Sequence, residues 1–416
     1  MASARSPTSC ATRSSQGGNS VRALAAAAAV VACTTIGAQP TPAPSARPSS
    51  VFSALPLAVP SPPDNPSTPQ KVALGRLLFW DPILSGSRDI ACATCHHPNF
   101  GFSDGRDLPI GTGGSGMGPA RRFPGSTPLV RRNSQTILNA AFNGIDAGGR
   151  VDPAQAPMFW DGRARGLEAQ ALVPIESLEE MRGGRTGEGP GVAGAVMRLR
   201  AISRYRELFA RAFGGSDAVS AVNLSRAIAA YERSLVTTET RFDRYMRGDR
   251  TVLTAVELRG MDAFESHGCT LCHNGPMLSD YKVHVIGVYD NPRLGAYDAG
   301  ADGRYAFRTP SLRNLAYTAP YMHSGVMTDL GSAVGFYKTV GGGAPLLLHF
   351  DKPRQIDNGH VVLGSPVDRE ALDPLLRQVS VNSELDDIVA FLGTLNGSYD
   401  RTSPAHVPSG LHPGGK

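Results

Sequence analysis

The alternation of apolar and polar positions marks a few helices and leaves long stretches with no period. Near the N-terminus, Arg22 precedes an apolar run, Ala23 to Ala32, far too short to span a bilayer as a helix. Residues 39–67 are rich in Pro, Ser, Thr and Ala and almost lack large apolar side chains, which predicts a flexible linker. A short apolar-faced helix is expected over 69–79, and another near 221–236 with Leu224, Ile228, Tyr231 and Leu235 on one face. Thr254-x-x-Glu257 reads as a capping box. It opens a helix with Leu258, Met261 and Phe264 on its apolar side and Gly268 as its stop. Ser383 is the expected cap of a last helix, whose apolar face is Leu385, Ile388, Val389, Leu392 and Leu395. Gly397 suits that helix's C′ position. From about Ser398 the chain predicts a flexible tail, 398–416.

The N-terminal pattern is that of an export signal, 1–38, with cleavage after Ala38. A competing reading takes Val30-Val31-Ala32-Cys33 as a lipobox, with Cys33 lipid-anchored. Either way the mature chain is expected in the periplasm. The length of this 416-residue chain predicts two domains, and the two Cys-x-x-Cys-His units with their flanking helices divide it into 68–238 and 239–397. With 47 Gly, 32 Pro and 7% aromatics the chain is loop-rich, which suits a core partly supplied by something other than side chains. Its charge of +5 includes Arg5, Arg13 and Arg22 of the leader, and without them it is +2. No nucleic-acid partner is expected from so small a balance.

The cysteines change the picture most. Two of the six lie in the leader, Cys10 and Cys33. The other four form Cys92-Ala93-Thr94-Cys95-His96 and Cys269-Thr270-Leu271-Cys272-His273. C-x-x-C-H is the attachment pattern of haem c: two sulfurs form thioethers with the porphyrin edge, and the following His is the proximal iron ligand. Structural zinc or short-range disulfides are the competing readings. Neither explains why a His follows both pairs. The expected fold class is therefore mainly α, two tandem cytochrome c-like haem domains with long loops.

Further blocks give the chain a family likeness. They are Arg132-Asn133 with Thr136-Ile137-Leu138-Asn139-Ala140, and Phe159-Trp160-Asp161-Gly162-Arg163-Ala164. Leu167-Glu168-Ala169-Gln170-Ala171 follows with Pro174-Ile175, then Arg241-Phe242-Asp243-Arg244-Tyr245. Last come Arg308-Thr309-Pro310-Ser311-Leu312-Arg313-Asn314 and Thr318-Ala319-Pro320-Tyr321-Met322-His323. Over about residues 68–397 the chain resembles the bacterial di-haem cytochrome c peroxidase family, which includes MauG.

The resemblance implies a peroxide-reducing haem at His96 and an electron-entry haem at His273. It implies Glu180 as the distal acid, accompanied by Gln170 and Pro174, and Trp160 as the residue between the haems. Taken alone, Glu180 beside Glu179 and Met181 would be a solvated loop acid. A carboxyl raised by desolvation suits the transfer of a proton between the two peroxide oxygens. Family members that need reductive activation carry a distal His in the loop after the first unit. Here that loop, about 98–131, is Gly-rich and has none, and His97 reads as a surface or propionate neighbour. The departure implies an iron open in the oxidised protein. At the second haem the matching axial position is Tyr337, a MauG-like choice, with Met322 and Met327 as the other candidates. Trp80 reads as packing. A calcium ion is implied between the domains, held by the Asn133 side chain and the carbonyls of Thr318 and Pro320. Gln135 stands where the family has Pro.

The expected function is a peroxidase reducing hydrogen peroxide to water with electrons from a small cytochrome c or cupredoxin. The second reading is a MauG-like enzyme that uses peroxide-derived ferryl haem to oxidise Trp or Tyr side chains of a partner protein. Against it, His267 stands two residues before Cys269, where MauG has a tryptophan. A pure electron-transfer cytochrome would have no use for Gln170, Pro174 and Glu180. The family also implies a homodimer.

Overall fold

Thr68 caps the first helix through its hydroxyl and Pro69 opens it, so the chain becomes helical where its irregular leader ends. In the computed structural model, residues 51–122, 129–183, 191–294, 296–341, 355–357, 360–362, 367, 369–381 and 383–416 are described. The expected signal segment 1–38, Cys33 and residues 39–50 of the expected linker lie outside them. The helices among the described residues are α1 (Pro69–Trp80), α2 (Cys92–Cys95), α3 (Gly166–Gln170), α4 (Val173–Glu176), α5 (Gly191–Ala201) and α6 (Ser203–Phe213). They continue with α7 (Ala221–Ser234), α8 (Arg241–Met246), α9 (Ala255–Ser266), α10 (Leu330–Gly341) and α11 (Leu385–Gly393). Strand structure among these residues is limited to three antiparallel pairs: β1 (Pro157–Met158) with β2 (Ala164–Arg165), β3 (Val283–His284) with β4 (Phe307–Arg308), and β5 (Gln355–Asp357) with β6 (His360–Val362). No helix of the described residues is long and apolar enough to cross a membrane.

Two helix crossings of the same kind organise the core. The first sets α1 on α7, burying Leu74 and Leu78 against Leu224 and Ile228. A Cβ on Gly75 would stand 1.9 Å from the Ala227 carbonyl oxygen, so only glycine allows that approach. The second sets α9 on α11, and a Cβ on Gly260 would stand 1.8 Å from the Asp387 oxygen. Phe52, Phe242, Phe264 and Phe391 fill the space around this pair, with Phe264 and Phe391 centroids 5.4 Å apart. The capping box at Thr254 forms as its spacing predicts, with the Glu257 carboxylate accepting from the Thr254 amide at 2.8 Å.

Four sequence expectations are corrected. Glu384, not Ser383, stands at the N-cap of α11, and its carboxylate faces His267 at 3.3 Å. The helix stops at Gly393, so Gly397 lies beyond it and donates its amide to Asn314 Oδ1 at 3.0 Å. Residues 51–67 are packed, unlike the flexible linker their composition predicts. Phe52 and Leu55 are core residues, and the Leu55 amide donates to Asp243 at 2.9 Å. Residues 398–416 are likewise tied to the body, with Val407, Gly414 and Gly415 buried. In both stretches a few apolar anchors and backbone bonds to distant partners outweigh a composition that builds no core of its own.

Candidate functional site

The Cys92-x-x-Cys95-His96 unit sits on α2 and the turn after it, and the second unit on the short turn after α9. Both border one cavity of about 350 Å³. Of the residues singled out for the site, all but Cys92 line it. Cys92 packs instead against the core around α1 and α7.

Both histidines are prepared in the same way. His96 Nδ1 lies 3.1 Å from the Phe102 carbonyl, and His273 Nδ1 lies 2.9 Å from the Leu278 carbonyl. A ring that donates from Nδ1 presents the lone pair of Nε2, the arrangement of a metal-ligating imidazole. Burial lowers the proton affinity of both rings, which keeps them neutral. The four cysteines are not in disulfides. Burial pushes the Cys92 thiol up to about 12 and the Cys269 thiol up to about 11, so neutral sulfur is favoured over thiolate. Neutral sulfurs, neutral imidazoles and a mostly apolar cavity fit two haem c groups better than zinc, which takes thiolates. Cys272 lies with Asp280 and His284 in a group whose donor atoms fall within 4.8 Å. His284 is already bonded on both sides, by Asp280 at 3.0 Å and Asp373 at 2.6 Å.

On the side of the first unit, Gln170 ends α3, Pro174 lies in α4, and Glu180 sits in a single π-helical turn, Leu178–Arg182. The turn is closed by the Arg182 amide on the Ser177 carbonyl at 2.9 Å. Such one-turn expansions recur at functional sites. Burial raises the Glu180 carboxyl above the ordinary carboxylate value, against the opposing charge of Arg163.

Trp160 borders the same cavity and is held on two sides. Its indole donates to the Asn133 carbonyl at 2.9 Å, and its own carbonyl accepts from the Arg308 amide at 2.6 Å. Asn133 is buried and donates its side-chain amide to the Arg106 carbonyl at 2.8 Å. Thr318 and Pro320 line the cavity wall with it. Tyr337 reaches the cavity from α10, and burial followed by the nearby Cys272 and Cys269 sulfurs raises its phenol. Met322 also lines the cavity, whereas Met327 is buried away from it. His267 caps α9 near Glu384, and Trp80 is buried in the core beside Phe79 and Phe102. His97 is half-buried, its Nδ1 accepting from the Asn99 amide at 3.2 Å.

Sequence reasoning gave no role to Arg308 and His323, which the structure brings to this wall. Arg308 is buried and donates to the Phe159 carbonyl at 2.9 Å and to Gln135 at 3.3 Å, with no carboxylate bonded to it among the described residues. A buried cation facing an apolar cavity suits an anionic edge such as a haem propionate. His323 stacks on Phe307 with centroids 3.7 Å apart and bonds Asp290 at 3.1 Å. Both lie in blocks already marked by the family likeness, which was the available signal.

Comparison with known proteins follows the same lines. A family model described as Di-haem cytochrome c peroxidase matches residues 69–251. The chain is 37% identical over 303 residues to the methylamine utilization protein MauG of Methylorubrum extorquens, covering 72% of this chain and 77% of that protein. It is 35% identical over 372 residues to the cytochrome c551 peroxidase of Pseudomonas aeruginosa, covering 87% and 88%. Among solved structures, a MauG-like protein associated with microbial copper homeostasis superposes with a TM-score of 0.64 at 29% identity, covering 82% of this chain and 95% of that one.

Proposed function

The chain belongs to the di-haem cytochrome c peroxidase family, a class of oxidoreductases, and from that premise we propose that it is an exported peroxidase that reduces hydrogen peroxide to water. In this reading residues 68–238 and 239–397 are two cytochrome c-like domains. Cys92 and Cys95 hold one haem and Cys269 and Cys272 the other, with His96 and His273 as proximal ligands. When bound, the haems supply a binding position for peroxide and a path for electrons from a small cytochrome c or cupredoxin.

The protein's own part is proton handling and positioning. Each turnover consumes one peroxide, two protons and two electrons and yields two waters. Glu180 takes a proton from one peroxide oxygen and returns it to the other, a task for a carboxyl with raised affinity. Gln170 and Pro174 shape the space around it, and Trp160, held by Asn133 and Arg308, relays electrons between the two halves. Asn133, Thr318 and Pro320 hold a calcium ion, oxygen donors suiting a hard cation. In this reading the signal segment directs the protein to the periplasm, with cleavage after Ala38 or, as the alternative, lipidation at Cys33, and the protein forms a homodimer.

The observation that carries this proposal is the meeting of Glu180, Gln170 and Pro174 with His96 around one cavity. A second reading, oxidation of Trp or Tyr side chains in a partner protein, is favoured by Tyr337 at the cavity and by the His-free loop. One stopped-flow experiment separates them: oxidised, haem-loaded protein is mixed with peroxide and ferrocytochrome c while donor and Soret bands are followed. Sustained donor oxidation without prior reduction is expected. Fast haem oxidation with little donor consumed transfers the case to the modifying enzyme, and no haem response overturns both.

A further inference from the structure

Residues 398–416 pack back onto the body of the protein. They return from α11 to the first Cys-x-x-Cys-His unit and fasten there at many points. The Tyr399 hydroxyl donates to the Pro98 carbonyl at 2.9 Å, and the Ser409 hydroxyl to Asp81 at 2.6 Å. The Gly414 amide donates to the Trp80 carbonyl at 2.8 Å. Thr94, between the two cysteines, donates its hydroxyl to the Gly414 carbonyl at 2.6 Å. Gly415 pairs with Ile90, and the Lys416 amide donates to the Asp89 carbonyl at 3.0 Å.

The same segment supplies one of the acceptors that hold Arg121. This side chain is 2% exposed. It donates to the carbonyls of Ile110 at 2.7 Å, Gly111 at 2.8 Å, Gly116 at 3.0 Å and Lys416 at 3.0 Å. The first three of these partners are neutral main-chain oxygens. A guanidinium buried at that cost is stable only while its fork is filled, so residues 110–111, Gly116 and Lys416 are held in fixed relation. One of them carries the effect to the candidate site. Next to Gly111, the Thr112 amide donates to the Glu180 carbonyl at 3.0 Å. A Cβ on Gly111 would stand 1.8 Å from the Glu179 oxygen, so the π turn rests directly on this backbone.

We propose that residues 398–416 form a strap that sets the position of Glu180 through Arg121. Arg121 is a positioning residue in this scheme, and the strap seats it. The inference rests on the role given above to Glu180, and it adds the device that holds that acid over the cavity.

The test uses haem-loaded protein ending at Pro413, beside the full chain. Amide hydrogen exchange at residues 110–112 and 178–182 is expected to quicken by at least about tenfold, the effect of losing one bond to a buried charged donor. The acid limb of the pH profile for peroxide reduction is expected to move to lower pH, because water reaching Glu180 relieves its desolvation. Exchange that quickens only at residues 80–94, with an unmoved acid limb, overturns the proposal. If the shortened protein does not load haem, Gly415→Ala in the full chain gives the same readout. Its Cβ would stand 2.4 Å from the Asp89 oxygen and unseat the strap without removing it. If the unaltered protein does not reduce peroxide, the functional reading falls, and the exchange at 178–182 alone decides the strap.

Discussion

Glu180 and the residues around it show how much one side chain's role depends on its surroundings. Between Glu179 and Met181 it has the neighbours of an ordinary surface acid. In the structure it lines the cavity, and burial raises its proton affinity. As a base it must be ionised, so its folded-state value sets an acid limb: turnover rises with pH through that raised value. Measured kcat/KM for peroxide should therefore fall on acidification from a point above the ordinary glutamate value. Glu180→Gln should remove the limb and lower kcat/KM by about 10²–10⁴-fold, the usual contribution of a positioned proton-transfer group. Haem content and Soret spectrum should be unchanged, which separates loss of proton transfer from loss of the site. A Gln variant with full activity and the same limb would assign the acid role elsewhere.

At the scale of elements, several family-marked blocks hold distant segments together. Arg241-Phe242-Asp243-Arg244-Tyr245 forms α8, and its Asp243 takes both arms of Arg313 at 2.8 Å each, with side chains 0% and 1% exposed. Asp243 also accepts from the Leu55 amide and caps α8 through Thr240, so one carboxylate joins three distant segments. Asp243→Ala would leave Arg313 buried and unpaired, a loss of about 3–5 kcal/mol. Denaturant unfolding of the haem-loaded protein should show it, and a loss under about 1 kcal/mol would mean that water reaches Arg313. Asn139 and Asn314 act in parallel: both bond Thr237, at 2.8 Å and 3.0 Å, at the end of the α7 segment. Their blocks were legible as signatures, but the pairing was not, because the partners are 98 and 77 residues away.

Over the whole molecule, buried acids give stability a pH dependence at neutrality. Burial pushes Asp104 up to about 7 and Glu232 up to about 8, with Arg106 and Arg233 only partly offsetting it. A carboxyl whose folded value lies above its unfolded one binds more protons folded than unfolded. Its contribution is complete below the unfolded value and is lost as pH rises through the folded value. His284, raised to about 11 first by Asp280, acts in the same direction above its unfolded value of 6.5. The buried His96, His273 and His323 have lowered values and are already neutral in both states above that point. Unfolding free energy should therefore decline between pH 6.5 and about 8, and Glu232→Gln should flatten the decline. A flat profile in the unaltered protein would mean that Glu232 has water or an ion beside it.

Some of this protein was set by local sequence alone. The two C-x-x-C-H units, the capping box at Thr254 and the apolar faces of α1, α7, α9 and α11 all depend on neighbours within a few residues, and all are visible in a linear reading. Other features required the folded chain. Residues 51–67 and 398–416 are poor in apolar side chains, a composition that predicts loose segments, yet Phe52, Leu55 and Val407 anchor them in cores built by other segments. At the two ends of α11, Glu384 faces His267 and Gly397 bonds Asn314, partners far away in sequence. The raised affinity of Glu180, the hold on Trp160 and the seat of Arg121 have the same origin. Each is a matter of burial and of hydrogen bonds between distant segments, quantities that exist only once the chain has closed on itself.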